Sequence, residues 1–163
     1  MTAIAPTTRV PAVGDAAPDF ALQSTAGTTV RLSELRGKSP ALLAFFPLAF
    51  TSTCTAELCD FSELFDQYAG KGVVVLPISV DSVPTLKEFK AKHAMKTDLL
   101  SDFRREASRA WAVLREDTFF SERAYFLVDR DGIVRWSHVE SKLGDKRGTA
   151  ELIDRVQGLG ARD

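Results

Sequence analysis

Two long apolar runs organise the chain. Ala41 to Phe46 is apolar at every position and stops at Pro47. Gly72 to Val80 is the second run. Strands covered on both faces read this way, without the alternation of half-exposed ones. Pro77 lies inside the second run and has no N–H for a ladder, which predicts a bulge or a strand end there. Between the runs, Cys54, Leu58, Phe61, Phe65 and Tyr68 are spaced as one face of an α-helix, and Gly70 is a natural stop. Pro84 to His93 reads as a helix with its proline in the first turn, and Arg104 to Leu114 as another. Asp19–Leu22 and Thr28–Arg31 flank Ala26-Gly27, a predicted hairpin, after which Ser33 caps a short helical turn ending at Gly37. Tyr125–Val128 and Ile133–Ser137 flank Asp129-Arg130-Asp131-Gly132, a second hairpin. Thr149 to Val156 is the last predicted helix. The order β-β-β-α-β-α-(β)-α-β-β-α predicts an α/β sandwich with a mixed central sheet flanked by helices.

The chain has 163 residues, enough for one domain that buries roughly 70% of its unfolded surface. Residues 1–12, with two prolines, read as a flexible arm ahead of a single domain over 13–163. There are 21 basic and 22 acidic residues, for a net charge of −1. That balance argues against disorder and against a nucleic-acid binder with a broad basic face. Arg104, Arg105, Arg109 and Arg115 sit among Glu106 and Glu116, as on a solvated helix face. The longest apolar stretch, Ala41 to Phe50, is far short of the roughly 20 residues of a membrane span. No charged segment followed by an apolar run opens the chain, so no signal peptide is expected. Two cysteines are too few for a disulfide scaffold, which predicts a cytoplasmic protein whose cysteines serve catalysis, redox sensing or metal binding.

The sharpest feature is Pro47-Leu48-Ala49-Phe50-Thr51-Ser52-Thr53-Cys54, between a buried strand and a helix. Thr51 is a good N-cap, which puts Cys54 in the first turn, where free N–H groups and the macrodipole favour an anion. A thiol there loses its proton below its ordinary pKa of about 8.5 and becomes a nucleophile without a histidine base. A small inert core cysteine fits the same spacing. Cys59 follows five residues later. On an intact helix the two Cα atoms stand about 8.6 Å apart, from its rise and radius. A disulfide needs less than about 7 Å. Either the pair never bonds or the first turns unwind. Zinc bound by Cys54, Cys59, His93 and His138 lacks the spacing of known sites. No phosphate-binding glycine loop and no C-x-x-C is present. Arg123 shares a strand face with Tyr125 and Leu127, and by itself reads as a solvated strand-end arginine.

At this point the chain resembles a family. Pro47-x-x-x-Thr51-x-x-Cys54 is similar to the peroxiredoxin active-site motif. Val13-Gly14-Asp15-Ala16-Ala17-Pro18-Asp19-Phe20, Ile78-Ser79-Val80-Asp81-Ser82, Leu99-Leu100-Ser101-Asp102 and Arg123-Ala124-Tyr125-Phe126-Leu127-Val128-Asp129 resemble other peroxiredoxin segments. The resemblance runs over about residues 13 to 157. Phe45 to Thr51 looks most like the alkyl hydroperoxide reductase E type, and the C-x4-C spacing like the Q type (bacterioferritin comigratory protein). Two segments depart from the pattern: Trp111-Ala112-Val113 stands where Tyr-Gly-Val is expected, and Thr97-Asp98 where Phe-Pro is.

The resemblance implies a thioredoxin-like fold with an N-terminal β-hairpin. It implies thiol-dependent reduction of H2O2 and organic hydroperoxides, through a sulfenic acid resolved to a disulfide, with no metal or organic cofactor. By its pattern Cys54 is the peroxidatic cysteine and Thr51 bonds the peroxide and the thiolate. Pro47 shields the sulfur from water. Arg123 lowers the thiolate pKa and binds the peroxide oxygens, Glu57 orients that arginine, and Cys59 resolves Cys54. The chain lacks the Gly-Gly-Leu-Gly and C-terminal Tyr-Phe segments that slow unwinding, so fast resolution is expected. Implied partners are a hydroperoxide and thioredoxin, mycoredoxin or another small thiol, but no nucleic acid or membrane. The assembly is a homodimer or a monomer. Two other functions suit the cysteines: a thiol-disulfide oxidoreductase, and a peroxide-responsive sensor that passes oxidation to a partner protein.

Overall fold

The computed structural model describes residues 10–50 and 72–140. Its framework is one seven-stranded mixed sheet. The strands are β1 (Ala21–Ser24), β2 (Thr29–Arg31), β3 (Ala41–Phe45), β4 (Val74–Ser79), β5 (Leu100–Ser101), β6 (Ala124–Val128) and β7 (Val134–Val139). Their order across the sheet is β2-β1-β5-β4-β3-β6-β7. β3 runs parallel to β4 and antiparallel to β6, and β4 runs parallel to β5. Helix α1 (Val83–Lys92) follows β4, and the short α2 (Glu106–Ala110) follows β5. The predicted helices over 54–68 and 149–156 lie outside the described residues.

All five residues of β3 are buried, as its unbroken apolar run requires. Alternation divides them between two cores. Leu42, Ala44 and Phe46 pack with Tyr125 and Leu127 of β6 and with Leu86 and Phe89 of α1. Ala41, Leu43 and Phe45 face the other side, with Phe126, Trp111 and Ala107. Trp111 replaces the expected tyrosine and fills the core, although its indole N–H is buried without a hydrogen-bond partner among the described residues. It is wholly buried, its ring 4.6 Å from Phe126 and 6.2 Å from Phe45.

Pro77 causes no bulge toward β3, where it pairs in register with Ala44. The Val74 N–H donates to the Pro40 carbonyl, and the Phe46 N–H to Ile78. Even-numbered residues of β4 therefore turn their backbone groups to β3, and Pro77 turns its nitrogen toward β5. That strand pairs only with Ile78 and Ser79, so no ladder bond is missing at Pro77.

Other predicted boundaries shift for local reasons. The first hairpin pairs Ala21 with Arg31 and Gln23 with Thr29, and Asp19 lies outside it. Its carboxylate instead accepts the Ser33 N–H at 2.8 Å. Ser33 thus lies inside the 3-10 turn Leu32–Leu35, whose N-cap Arg31 makes no side-chain capping bond. The helix predicted over Arg104–Leu114 shrinks to Glu106–Ala110. At its start, the buried Asp102 carboxylate accepts the N–H groups of Ala107 (3.1 Å) and Ser108 (2.7 Å) and the Ser108 hydroxyl (2.6 Å). Burial pushes the Asp102 carboxyl above its ordinary pKa, against those bonds. At its end, Ala112 turns left-handed at φ 56°, where the family pattern has glycine, and Leu114 goes on to bridge Ser121.

The β6–β7 turn is held by Asp129. One carboxylate oxygen accepts the N–H groups of Asp131 (2.9 Å) and Ile133 (3.0 Å), and the other accepts Arg135 Nε. Gly132 takes φ 80° there, where an added Cβ would stand 2.5 Å from Arg36 Nε. Burial alone would raise the Asp129 pKa. The Ile133 N–H, Arg135 and the Asp131 N–H outweigh it and hold the carboxyl below its ordinary value. Its stabilisation is therefore complete above the unfolded-state pKa and is lost as pH falls through the lower folded-state value. Asp129→Ala should cost about 1–3 kcal/mol at pH 7, the scale of hydrogen bonds to a charged group. Denaturant titrations of both proteins should show that difference shrinking toward pH 2. A difference that stayed constant with pH would contradict this role.

Candidate active site

The parallel strands β3, β4 and β5 end at one edge of the sheet, where antiparallel β6 begins. β3 delivers Phe46 and Pro47 to that edge, and both are buried. The register Phe45↔Ala124 sets Arg123 opposite Phe46, one residue from Pro47. The Ser121 hydroxyl reaches across to the Phe46 carbonyl at 3.2 Å, and the Glu140 N–H donates to the Arg123 carbonyl at 2.9 Å. β6 starts at Ala124, one residue before the predicted Tyr125, so Arg123 just precedes the strand.

Arg123 is only 1% exposed. The solvated strand-end reading is thereby overturned. Guanidinium groups go this deep only when their charge and five N–H donors are engaged. The chain therefore spends a buried permanent cation at the edge where the Pro47 motif starts. Thr51, Cys54, Glu57 and Cys59 lie outside the described residues. The structure thus brings the backbones of Phe46–Pro47 and Arg123, which stand 76 positions apart in the sequence, to the same end of neighbouring strands. The two histidines are apart and separately engaged: His93 meets the Phe89 ring, and His138 pairs with Glu140 at 3.0 Å.

The segment after Pro47 is held from β4. Asp81, just past the end of that strand, accepts the Ala49 N–H at 2.8 Å and the Ser79 hydroxyl at 2.7 Å, both on Oδ2. Its own N–H donates to Ser79 Oγ at 3.2 Å, and the Ser101 hydroxyl donates to its carbonyl at 2.6 Å. Phe50 then takes φ 66°, a left-handed conformation that costs a side-chain-bearing residue roughly 1–2 kcal/mol. Its ring is 48% exposed, edge-on to Phe89 at 4.9 Å, with Lys92 Nζ 5.7 Å from its centre. Sequence reasoning quoted Ser79, Asp81 and Ser101 within family-like segments and gave them no role. Polar residues closing buried strands beside a motif were the available signal.

Comparison with known proteins places the chain in a family. Residues 13–137 match the model of the AhpC/TSA family. The chain is 36% identical over 151 residues to alkyl hydroperoxide reductase E of Mycobacterium tuberculosis, covering 91% of this chain and 98% of that one. It is 34% identical over 138 residues to peroxiredoxin Bcp of Bacillus subtilis, covering 80% and 87%. The crystal structure of reduced Plasmodium vivax 2-Cys peroxiredoxin superimposes with a TM-score of 0.84 at 31% identity, covering 92% and 82%. The chain belongs to the AhpC/TSA family, the peroxiredoxins. It has their thioredoxin-like fold and is a thiol-dependent peroxidase. Among the described residues no helix is long and apolar enough to cross a membrane.

Proposed function

We propose that Cys54 is the peroxidatic cysteine of a single domain over 13–163, and that it reduces H2O2 and organic hydroperoxides. The burial of Arg123 just ahead of β6, next to the end of β3 where the Pro47 motif starts, is the observation that carries this reading. A fixed cation there favours the thiolate over the thiol. It also meets the charge that grows on the leaving oxygen. The thiolate attacks one peroxide oxygen in line with the O–O bond. That bond breaks, the other oxygen leaves as water or an alcohol after taking a proton, and Cys54 becomes a sulfenic acid. Thr51 bonds the peroxide and the thiolate, Pro47 keeps water from the sulfur, and Glu57 orients Arg123.

Cys59 then attacks the sulfenic sulfur. Water leaves and a Cys54–Cys59 disulfide forms. On the helix that the spacing predicts over these residues the two Cα atoms would stand too far apart for that bond, so resolution would require its turns to open. Such a strained disulfide is readily reduced, and a dithiol reductant such as thioredoxin or mycoredoxin returns the enzyme to its starting state. The scarcity of cysteine supports a cytoplasmic setting, with the enzyme acting as a monomer or homodimer.

Cys54→Ser should abolish peroxide consumption. Cys59→Ser should keep the first oxidation at the parent rate, measured by stopped-flow Trp fluorescence. Peroxide-treated parent protein should show an intramolecular Cys54–Cys59 bond by mass spectrometry. Parent-level turnover in Cys54→Ser would overturn the assignment. Sulfinic Cys54 beside a free Cys59 would remove the resolving role.

Arg123→Ala and Thr51→Val should each slow peroxide reduction by about 10² or more, the scale of one lost transition-state donor. A folded Arg123→Ala protein with the parent rate constant would take Arg123 out of the site.

A further inference from the structure

We infer that Asp81 is a positioning residue for peroxide reduction, which rests on Cys54 being the peroxidatic cysteine. The carboxylate stands where β4 ends and spans to the segment that leaves β3. Its Oδ2 accepts the Ala49 N–H at 2.8 Å, inside the span from Pro47 to Thr51. The Ser79 hydroxyl donates to the same oxygen at 2.7 Å and fixes the carboxylate's rotamer. Ser101 holds the Asp81 backbone from β5 at 2.6 Å. The acceptor is therefore itself fixed by two strands before it reaches the loop.

The loop needs such a hold. On the β3 side the Phe46 N–H is tied to Ile78 at 2.9 Å and its carbonyl to Ser121 at 3.2 Å. Next along the chain comes the buried Pro47, which has no N–H to donate. Two residues after that comes the Ala49 N–H, taken by Asp81, and immediately afterwards the left-handed Phe50 at φ 66°. A strained conformation persists only where its surroundings over-determine it. The Asp81 bond is the last one before the strain, and Thr51 and Cys54 follow directly in sequence. Small displacements of reacting groups are expensive in rate. Asp81 thus acts through the Ala49 amide on where the motif's donors and thiol stand, without touching peroxide.

Charge and position predict opposite shifts, which makes the inference testable. Removing a carboxylate near a thiol lowers the thiol pKa if charge alone matters. Removing the latch loosens the donors that stabilise the thiolate and raises it. The test uses Asp81→Ala, Asp81→Asn and Ser79→Ala in the full chain. Each is followed by stopped-flow H2O2 reduction, by titration of the Cys54 thiolate at 240 nm and by hydrogen exchange of the Ala49 amide. An asparagine oxygen can still accept both the amide and the serine hydroxyl. Asp81→Ala should speed exchange at Ala49, raise the Cys54 pKa and slow reduction by about 10- to 100-fold. Asp81→Asn should restore most of the rate and the pKa. Ser79→Ala leaves the loop bond in place and should give a smaller loss in the same direction, should Asp81→Ala fail to fold. Faster Ala49 exchange with the parent rate and titration would overturn the inference, as would a lowered Cys54 pKa in both Asp81 variants. A parent protein no faster than Cys54→Ser would instead defeat the peroxidase reading beneath it.

Discussion

The register between β3 and β6 is the constraint on which the active edge depends. β3 is paired on both sides and buried along its whole length, so its alignment is fixed by every side chain it carries. A slip of one residue against β6 would exchange the two cores, sending Leu42 and Ala44 to the Trp111 side. It would also move Arg123 off its position opposite Phe46. The apolar alternation that builds the two cores is therefore what sets a cation from residue 123 opposite Phe46, at the strand end where the Pro47 motif starts. Packing and chemistry share one registration.

The same edge collects polar groups that close the strands. Ser79 and Ser101 end β4 and β5, Asp81 and Asp102 follow them, and Ser121 precedes β6. Each makes hydrogen bonds that end a ladder or cap a turn. Buried polar groups in such numbers are costly unless every bond is made. Once made, those bonds leave the backbone few alternatives, and a conformation as costly as left-handed Phe50 is held. The inert-looking polar residues at this edge are the support for the motif that passes between them.

Much of this was legible in the sequence. The unbroken run Ala41–Phe46 announced a doubly covered strand, and Pro84 with its following residues announced α1. The residues around Gly132 announced the second hairpin. Motif spacing and resemblance named Pro47 and Arg123, and both are buried where β3 ends and β6 begins. What stayed hidden depends on contacts distant in sequence. Arg123 looked solvated because no local pattern in the sequence reveals that a charged side chain is buried. The helix predicted over Arg104–Leu114 ran long because its limits are set by the Asp102 carboxylate and by a left-handed alanine, which carry no glycine or proline signal. Pro77 looked disruptive because the length of its neighbour β5 is not written in β4. Asp81 was quoted without a role because its partner, Ala49, lies 32 residues earlier.

The central claim is that this edge holds Cys54 as a thiolate at neutral pH. Titration of the thiolate absorbance at 240 nm in a Cys59→Ser background, with the matching Cys54→Ser protein subtracted, tests it most directly. A buried cation at this edge, with the helix start that the sequence predicts at Cys54, should bring the midpoint at least about one unit below the 8.5 of a free thiol. A midpoint at or above 8.5 would contradict the account, because the edge would then hold an ordinary thiol with no activation.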